Sequence, residues 1–355
     1  MSNYDITEID KNFKSTVSLE NMTTYSVFSE PFEITGVTFD GEKFVRMPKE
    51  VSKTVSETVS VLYSNTSGGR LRFRTNSGRV TLTAALPNFS GVPHMPQSGF
   101  SSFDLYDGED YKGFFSCDYK ADEKGLYTGT ATLDLKSTEM HDITINFPLY
   151  NDVSAVYISL DRGCLLEKPL PEKYTTPIVY YGSSITQGGC ASHPGNAYQN
   201  IISRRISGNF VNLGFSGGCR AELPMIDYLA TLDMSIFVYD YDHNASNYEF
   251  LQETHERGFL RFREKRPDVP VLMITSADIT TDREKRIQVI RTTYENALRA
   301  GDKNVYFIHG DEIYASVGKQ YCTVDKCHPN DLGFFCMANA IEPVIRRILK
   351  EKENV

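Results

Sequence analysis

Two segments far apart in the sequence carry side chains that could act together in nucleophilic catalysis. Ser184 stands in the glycine-flanked run GSSITQGG at residues 182–189, and Asp325 and His328 lie three residues apart near the other end of the chain. A serine hydroxyl becomes nucleophilic when a base accepts its proton and a third group orients that base. Ser184, His328 and Asp325 are therefore a candidate nucleophile, base and orienting carboxylate.

Each segment also has a simpler interpretation. A Gly-Ser-Ser run after a strand is more often only a turn. The stretch around Asp325 could be a polar loop that caps the helix expected after Pro329. Pro329 disfavours helical backbone at His328, which keeps the histidine in that loop under either interpretation. The residue types alone leave both possibilities open.

Two further segments could donate hydrogen bonds to a developing oxyanion. Gly217 lies in the glycine-containing run GFSGG, where the backbone can approach a ligand closely. Asn244 offers a side-chain amide. Together with the backbone N–H of Ser184, these groups are the parts of an oxyanion hole. Glycine and asparagine are also ordinary loop residues, so neither position is distinctive by itself.

Five short apolar runs in the second half predict a parallel β-sheet with helices on both faces. They lie at residues 178–181, 210–213, 236–239, 271–274 and 305–308, and apolar residues recur at helical spacing over 287–297 and 341–348. Ligands of such sheets bind beyond the carboxyl ends of the strands. Ser184, Gly217 and Asn244 follow the first, second and third runs, so we expect them at one edge of the sheet.

The first half of the chain predicts an antiparallel β-sandwich, because short segments alternate apolar and polar residues between turn-forming residues. The clearest segments are 58–63, 71–74, 80–83, 127–133, 143–147 and 156–160. A connecting stretch with several prolines follows at 161–176. The chain has 355 residues, which favours two cores, and we expect domains at 1–172 and 173–355.

Composition excludes several classes of partner. A formal net charge of -9 opposes binding to nucleic acid, which depends on Lys and Arg at phosphates. No run approaches the roughly 18 apolar residues that cross a bilayer, and residues 1–8 lack a basic then apolar signal sequence. We therefore expect a cytoplasmic protein that binds neither nucleic acid nor membrane. The oligomeric state is left open.

The seven cysteines are scattered, which is not the pattern of a disulfide framework, and we expect free thiols. Cys322, Cys327 and His328 are close in sequence, but they lack a further Cys or His pair to close a tetrahedral zinc site. We expect neither a metal nor a cofactor.

The conjunction of these residues resembles the four blocks of the SGNH (GDSL-like) hydrolase superfamily: serine after the first strand, glycine after the second, asparagine after the third, and Asp-x-x-His before the last helix. Residues 93–95 and 103–106, together with 182–192, resemble the branch whose N-terminal β-sandwich is named for a Gly-x-Asp-Leu-Tyr motif. Most of the chain is included in this resemblance.

The resemblance implies a three-layer, flavodoxin-like α/β hydrolase domain preceded by a jelly-roll-like sandwich. It implies a triad of Ser184, His328 and Asp325, and an oxyanion hole of Ser184, Gly217 and Asn244. The implied activity is hydrolysis of O-acyl esters, most readily O-acetyl groups on carbohydrates or glycosides, and the implied partner is a small-molecule or oligosaccharide ester.

Three positions depart from the family pattern, and they leave the subfamily and the substrate open. Ser183 stands where the first block often has aspartate, Ser102 where the sandwich motif has glycine, and Ala245 where aspartate usually follows the asparagine. None of the three removes a catalytic group.

Three other functions remain open on sequence grounds. They are a thioesterase or lysophospholipase for longer acyl chains, a non-catalytic carbohydrate-binding protein, and a metal-dependent phosphoester hydrolase that uses Asp240, Asp242 and His243. His94, Asp104 and Tyr106 stand in loop-like surroundings in the first half. They either reach the substrate or hold two strands together.

Overall fold

The computed structural model describes residues 19–278 and 281–353. Residues 1–18 of the expected first domain and 354–355 of the expected second domain lie outside the described residues. The segment 1–8, which bears on the expected cytoplasmic location, is among them, and that location stays a prediction.

The first half of the described chain forms two large antiparallel sheets and a two-stranded one. Strands β1 to β13 lie at Met22–Ser26, Glu33–Thr35, Thr38–Phe39, Phe44–Val45, Arg70–Thr75, Arg79–Leu86, Asp104–Asp107, Asp110–Phe114, Lys120–Ala121, Tyr127–Asp134, His141–Asn146, Ala155–Asp161 and Leu166–Glu167. One sheet has the order β1-β12-β6-β10-β9. The other has the order β13-β5-β11-β7-β8 with β2 beside β5, while β3 and β4 pair with each other.

The two sheets pack face to face because every second residue of their central strands is apolar and buried. Leu82 and Ile158 of the first sheet share one core with Phe73 and Ile145 of the second. Next to Ile158 on the same strand, Tyr157 points outward and is 45% exposed. Burying such aliphatic and aromatic side chains stabilises the fold by about 1.5–3 kcal/mol each. The predicted β-sandwich is confirmed.

The strand predicted at residues 58–63 is wrong, because residues 57–62 form a helix. Helices α1 to α3 lie at Lys49–Val55, Glu57–Leu62 and Gln97–Phe100. The Ser56 side chain caps α2 by accepting a hydrogen bond from the backbone N–H of Val59 at 3.2 Å. Val59 is buried, but Val61 is 66% exposed, so the alternating valines do not mark one face of a strand.

The connecting stretch 161–176 is also more regular than expected. It contains β13, and the first strand of the second half already begins at Tyr174. The boundary expected between residues 172 and 173 lies in the short segment between these two strands.

The second half contains a five-stranded parallel sheet that includes all five predicted apolar runs. Strands β14 to β18 lie at Tyr174–Gly182, Gly208–Gly214, Ile236–Asp240, Val271–Ile274 and Val305–Ile308, in the order β15-β14-β16-β17-β18. Alternate residues of β14 enter different cores. Val179 and Tyr181 pack on one face, and Ile178 and Tyr180 pack on the other. The sheet is therefore the middle layer of three.

Helices cover both faces of this sheet. Helices α4 to α11 lie at Ser184–Gln187, Tyr198–Ile206, Leu223–Leu229, Tyr248–Lys265, Arg283–Arg299, Gly310–Ile313, Lys319–Cys322 and Asp331–Glu353, with a 3-10 helix at Pro194–Asn196. The two predicted helical segments lie in α8 and α11. In the described ranges, no helix combines the length and apolar character needed to cross a bilayer.

Buried polar side chains of the first half bind directly to the second half. Arg46 donates to the backbone carbonyl of Gly214 in the second half at 2.5 Å, and to that of Leu62 in its own half at 2.7 Å. Asp104 is fully buried on β7 and accepts hydrogen bonds from the backbone N–H of Gly195 at 2.5 Å and the ring of His193 at 2.6 Å.

Asp104 and Tyr106 thus lie on a buried strand and not in a loop, and Asp104 binds a segment of the α/β half. Its second carboxylate oxygen accepts from the Asn146 amide at 2.6 Å on the neighbouring strand. Asp104 therefore joins two neighbouring strands of the sandwich and also joins the sandwich to the α/β half.

We predict that Asp104→Ala lowers the free energy of unfolding by about 3 kcal/mol, because it leaves three buried hydrogen-bond donors without an acceptor, one of them a histidine ring. Urea unfolding followed by circular dichroism measures this change. Asp110→Ala on the next strand is the matched control, since its carboxylate is exposed and should change stability by less than about 0.5 kcal/mol. Equal stabilities of the two variants would contradict the assigned role of Asp104.

Candidate active site

The turn after β14 places Ser184 at the carboxyl edge of the parallel sheet. The strand ends at Gly182 and α4 begins at Ser184, with the side chain of Ser183 accepting from the backbone N–H of Ile185 at 3.2 Å. Ser183 thereby caps the turn in the place where the family pattern often has aspartate. The backbone N–H of Ser184 lies in the first turn of the helix, where it has no intrahelical acceptor.

Gly182 is required at this turn for steric reasons. A Cβ atom there would collide with the side chain of Thr186 and the backbone carbonyl of Asp240. The Thr186 hydroxyl in turn donates to the buried Asp240 carboxylate at 3.0 Å. These contacts fix the short helix against the end of β16 and so fix the position of Ser184.

The structure brings Ser184, His328 and Asp325 together. Ser184 Oγ lies 2.8 Å from His328 Nε2, and His328 Nδ1 lies 2.7 Å from Asp325 Oδ2. The other carboxylate oxygen of Asp325 accepts from the backbone N–H groups of His328 at 2.7 Å and Cys327 at 3.0 Å. One compact loop therefore presents both the imidazole and the carboxylate that orients it.

Asp325 remains ionised in this loop. Partial burial alone would raise the pKa of Asp325. The hydrogen bonds that it accepts from the backbone and ring of His328, the charge of the His328 ring and the hydrogen bond from the N–H of Cys327 outweigh burial and lower this pKa to about 2. An ionised carboxylate can only accept hydrogen bonds, so His328 Nδ1 is the protonated nitrogen facing it. The lone pair of Nε2 is then directed at the hydroxyl of Ser184.

Gly217 and Asn244 lie in loops at the same sheet edge. Gly217 has a φ of +70° in the exposed turn after β15, a conformation that favours glycine. The preceding residue, Ser216, donates its backbone N–H to the Gln187 side chain at 3.0 Å, which ties this turn to the helix of Ser184. The side-chain oxygen of Asn244 accepts a hydrogen bond from the backbone N–H of Cys219 at 3.2 Å, so the side-chain nitrogen of Asn244 is the group that can donate to a substrate.

A buried polar cluster that the sequence analysis did not find supports the Asn244 loop. His243 Nε2 lies 2.8 Å from Asp278, and Ser276 Oγ lies within hydrogen-bond distance of both side chains at 3.0 Å. Burial opposes protonation of His243, but the nearby carboxylates, led by Asp278, raise its pKa above the ordinary value. Asp278 belongs to no motif, so only the fold reveals this pair.

Asp240, Asp242 and His243 do not form a shared metal site among the described residues. Asp242 binds Arg286 at 2.9 Å and the backbone N–H of Ser276 at 3.0 Å. Asp240 accepts a hydrogen bond from the Thr186 hydroxyl at 3.0 Å. The described residues instead bring together two other sets of potential metal ligands, His94 with Cys190 and His328, and His243 with Asp278 and Cys327.

A cavity of about 700 Å³ opens beside His328, and the first half of the chain forms its wall. Apolar side chains dominate this wall: Val61, Leu62, Val92, Met95 and Phe100. His94, Ser216 and His328 lie on its polar side. Of the three first-half residues considered above, His94 therefore lies next to His328, while Asp104 and Tyr106 do not line the cavity.

Each half of the chain matches a model of a known protein family. Residues 175–346 match the model of the GDSL-like lipase/acylhydrolase family, and residues 22–165 match the model of the N-terminus of esterases of the SGNH hydrolase type, named GxDLY. No curated protein matches the chain.

Several solved structures share the whole architecture. A protein of Bacteroides ovatus ATCC 8483 described as a GDSL-like lipase is 29% identical, with a TM-score of 0.79 over 93% of this chain and 98% of that one. A salicylyl-acyltransferase from a tetracycline biosynthetic pathway is 17% identical, with a TM-score of 0.73 over 92% and 98%. A family two carbohydrate esterase from Cellvibrio japonicus is 10% identical, with a TM-score of 0.62 over 93% and 98%.

The similarity to the acyltransferase and to the carbohydrate esterase shows a shared fold only. The two family models together cover nearly all of the described chain, first the sandwich and then the α/β domain. The chain therefore belongs to the GDSL-like (SGNH) hydrolases, in the branch with a GxDLY-type N-terminal domain, and is an esterase of that family.

Proposed function

We propose that the enzyme hydrolyses short-chain O-acyl esters, with O-acetyl groups on carbohydrates or glycosides as its substrates, through an acyl-enzyme formed on Ser184. The observation that carries this proposal is the unbroken series of hydrogen bonds from Asp325 through His328 to Ser184. The name of the Cellvibrio japonicus structure, a carbohydrate esterase, supports the carbohydrate part of the proposal.

In the proposed reaction, His328 Nε2 takes the proton of Ser184 as Oγ attacks the ester carbonyl. The negative charge on the former carbonyl oxygen is stabilised by the N–H groups of Ser184 and Gly217 and the amide of Asn244. His328 then gives its proton to the leaving alcohol. A water molecule, deprotonated by the same imidazole, releases the carboxylic acid and restores the serine hydroxyl.

Asp325 has two tasks in this scheme. Its ionised carboxylate keeps the proton of the neutral imidazole on Nδ1, and it stabilises the imidazolium that forms when His328 accepts the serine proton. Its pKa of about 2 means that the carboxylate is ionised near neutral pH, as both tasks require.

The apolar cavity beside His328 favours a second candidate function. Val61, Leu62, Val92 and Met95 could cover an acyl chain longer than acetyl, as a thioesterase or lysophospholipase would require. In the first proposal, the same wall instead faces the alcohol part of the substrate.

The nucleophile is tested by the hydrolysis of 4-nitrophenyl acetate in the presence of a chelator. We predict that Ser184→Ala lowers the rate by about four orders of magnitude or more, because no other group can form the acyl-enzyme. Ser183→Ala is the matched control and should lose less than about tenfold, since it removes only one capping bond. A wild-type rate in Ser184→Ala would show that the nucleophile is elsewhere.

The oxyanion assignment is tested at Asn244. Asn244→Ala should lower kcat by about 10²–10³-fold with little change in KM, because the lost hydrogen bond forms mainly in the transition state. Asn247→Ala, which removes the cap of α7, should cost about 1 kcal/mol of stability and leave kcat nearly unchanged. Equal kcat values for the two variants would remove Asn244 from the oxyanion hole.

Acyl chain length separates the two candidate functions. We predict that kcat/KM is highest for 4-nitrophenyl acetate and falls through butyrate to octanoate. The measurement is a series of initial rates at substrate concentrations well below KM. A rise toward octanoate would reject the short-chain proposal and favour the second function, with the apolar wall as the acyl site.

A further inference from the structure

Two potential metal ligands, His94 and Cys190, lie close to the proposed general base, His328, and the three residues come from different parts of the chain. His94 comes from the first half, Cys190 follows α4, and His328 comes from the loop before α11. One ligand atom from each lies within 4.8 Å of the others. The rings of His94 and His328 are 5.6 Å apart between centroids.

The Asp325–His328 pair already has the form that zinc prefers in a histidine ligand. Histidines that bind zinc usually donate their other ring N–H to a carboxylate, which fixes the tautomer and makes the free nitrogen more basic. His328 Nδ1 faces Asp325 at 2.7 Å and leaves Nε2 as the electron-pair donor. The arrangement that makes His328 a base therefore also makes it a good zinc ligand.

The other two side chains complete a suitable set. Zinc binds imidazole nitrogen at about 2.0–2.1 Å and thiolate sulfur at about 2.3 Å in a tetrahedron, so the ligand atoms must approach to about 3.3–3.7 Å of each other. His94 is exposed and Cys190 is buried, so the approach of the ligand atoms requires a rotation of the His94 side chain. The cavity beside His94 and His328 gives solvent access for the ion and room for a water as fourth ligand.

We propose that His94, Cys190 and His328 form a zinc-binding site that reversibly inhibits the enzyme. Binding forms Zn–N bonds to His94 and His328 and a Zn–S bond to Cys190, and the thiol proton of Cys190 leaves to the solvent. The inhibitory part rests on the proposed function, because the ion occupies the electron pair with which His328 would accept the proton of Ser184. The ion also joins the two halves of the chain across the cavity.

The second group of potential ligands, His243, Asp278 and Cys327, provides an internal control. Cys327 belongs to this second set and not to the set of His94, Cys190 and His328. Substitution of Cys327 should therefore leave zinc affinity unchanged, while substitution of Cys190 should not.

Zinc chloride titrated into the metal-free protein, followed by isothermal calorimetry, tests binding without any need for enzymatic activity. We expect one zinc per chain, and a Kd that is at least about tenfold weaker in both Cys190→Ser and His94→Ala. Cys117→Ser, in the sandwich, and Cys327→Ser should keep the wild-type Kd. Absence of zinc binding to the wild type, or an equal loss in Cys327→Ser, would overturn the site.

Inhibition is measured on 4-nitrophenyl acetate, with each variant compared with its own rate in the absence of zinc. Zinc should inhibit the wild type, a chelator should restore the rate, and Cys190→Ser should need at least about tenfold more zinc. Zinc binding that depends on Cys190 in a protein without esterase activity would reject the proposed function and leave the site standing. Inhibition that is unchanged in Cys190→Ser and His94→Ala would reject the site and leave the proposed function standing.

Discussion

A hydrogen bond of 2.8 Å between Ser184 Oγ and His328 Nε2 joins side chains that are 144 residues apart in sequence. Its formation requires a particular order of strands. The first strand of the parallel sheet lies between two others and ends at Gly182, two residues before Ser184, and the loop before the last helix returns to the same edge. On the other side of the imidazole, Asp325 accepts hydrogen bonds from both the backbone N–H and the ring of His328, which orients the ring toward the hydroxyl.

The first half of the chain contributes more to this site than a separate binding module would. Asp104 and Arg46 are buried and bind backbone groups of the α/β half, so the two halves have a fixed geometric relation. That relation places an apolar wall and His94 beside His328. Residues from both halves therefore line the cavity beside His328.

Much of this arrangement is predictable from sequence because it depends on local patterns. Continuous apolar runs mark the five parallel strands, and the positions of Ser184, Gly217 and Asn244 follow from where those runs end. The helix at Glu57–Leu62 is missed because its valines alternate as they would in a strand, and its cap at Ser56 is a single side chain. The pair His243–Asp278 and the proximity of Cys190 to His328 are not predictable from spacing, since each depends on how separate loops pack. The catalytic and oxyanion roles of the site residues stay predictions.

Covalent labelling with a serine-directed organophosphonate, followed by peptide mass spectrometry, tests most directly whether His328 activates Ser184. The reagent requires an activated hydroxyl, so we predict one label on Ser184 in the wild type and a labelling rate that falls by several orders of magnitude in His328→Ala. A label on a different serine, or a rate on Ser184 that does not depend on His328, would contradict the proton transfer on which the proposed mechanism rests.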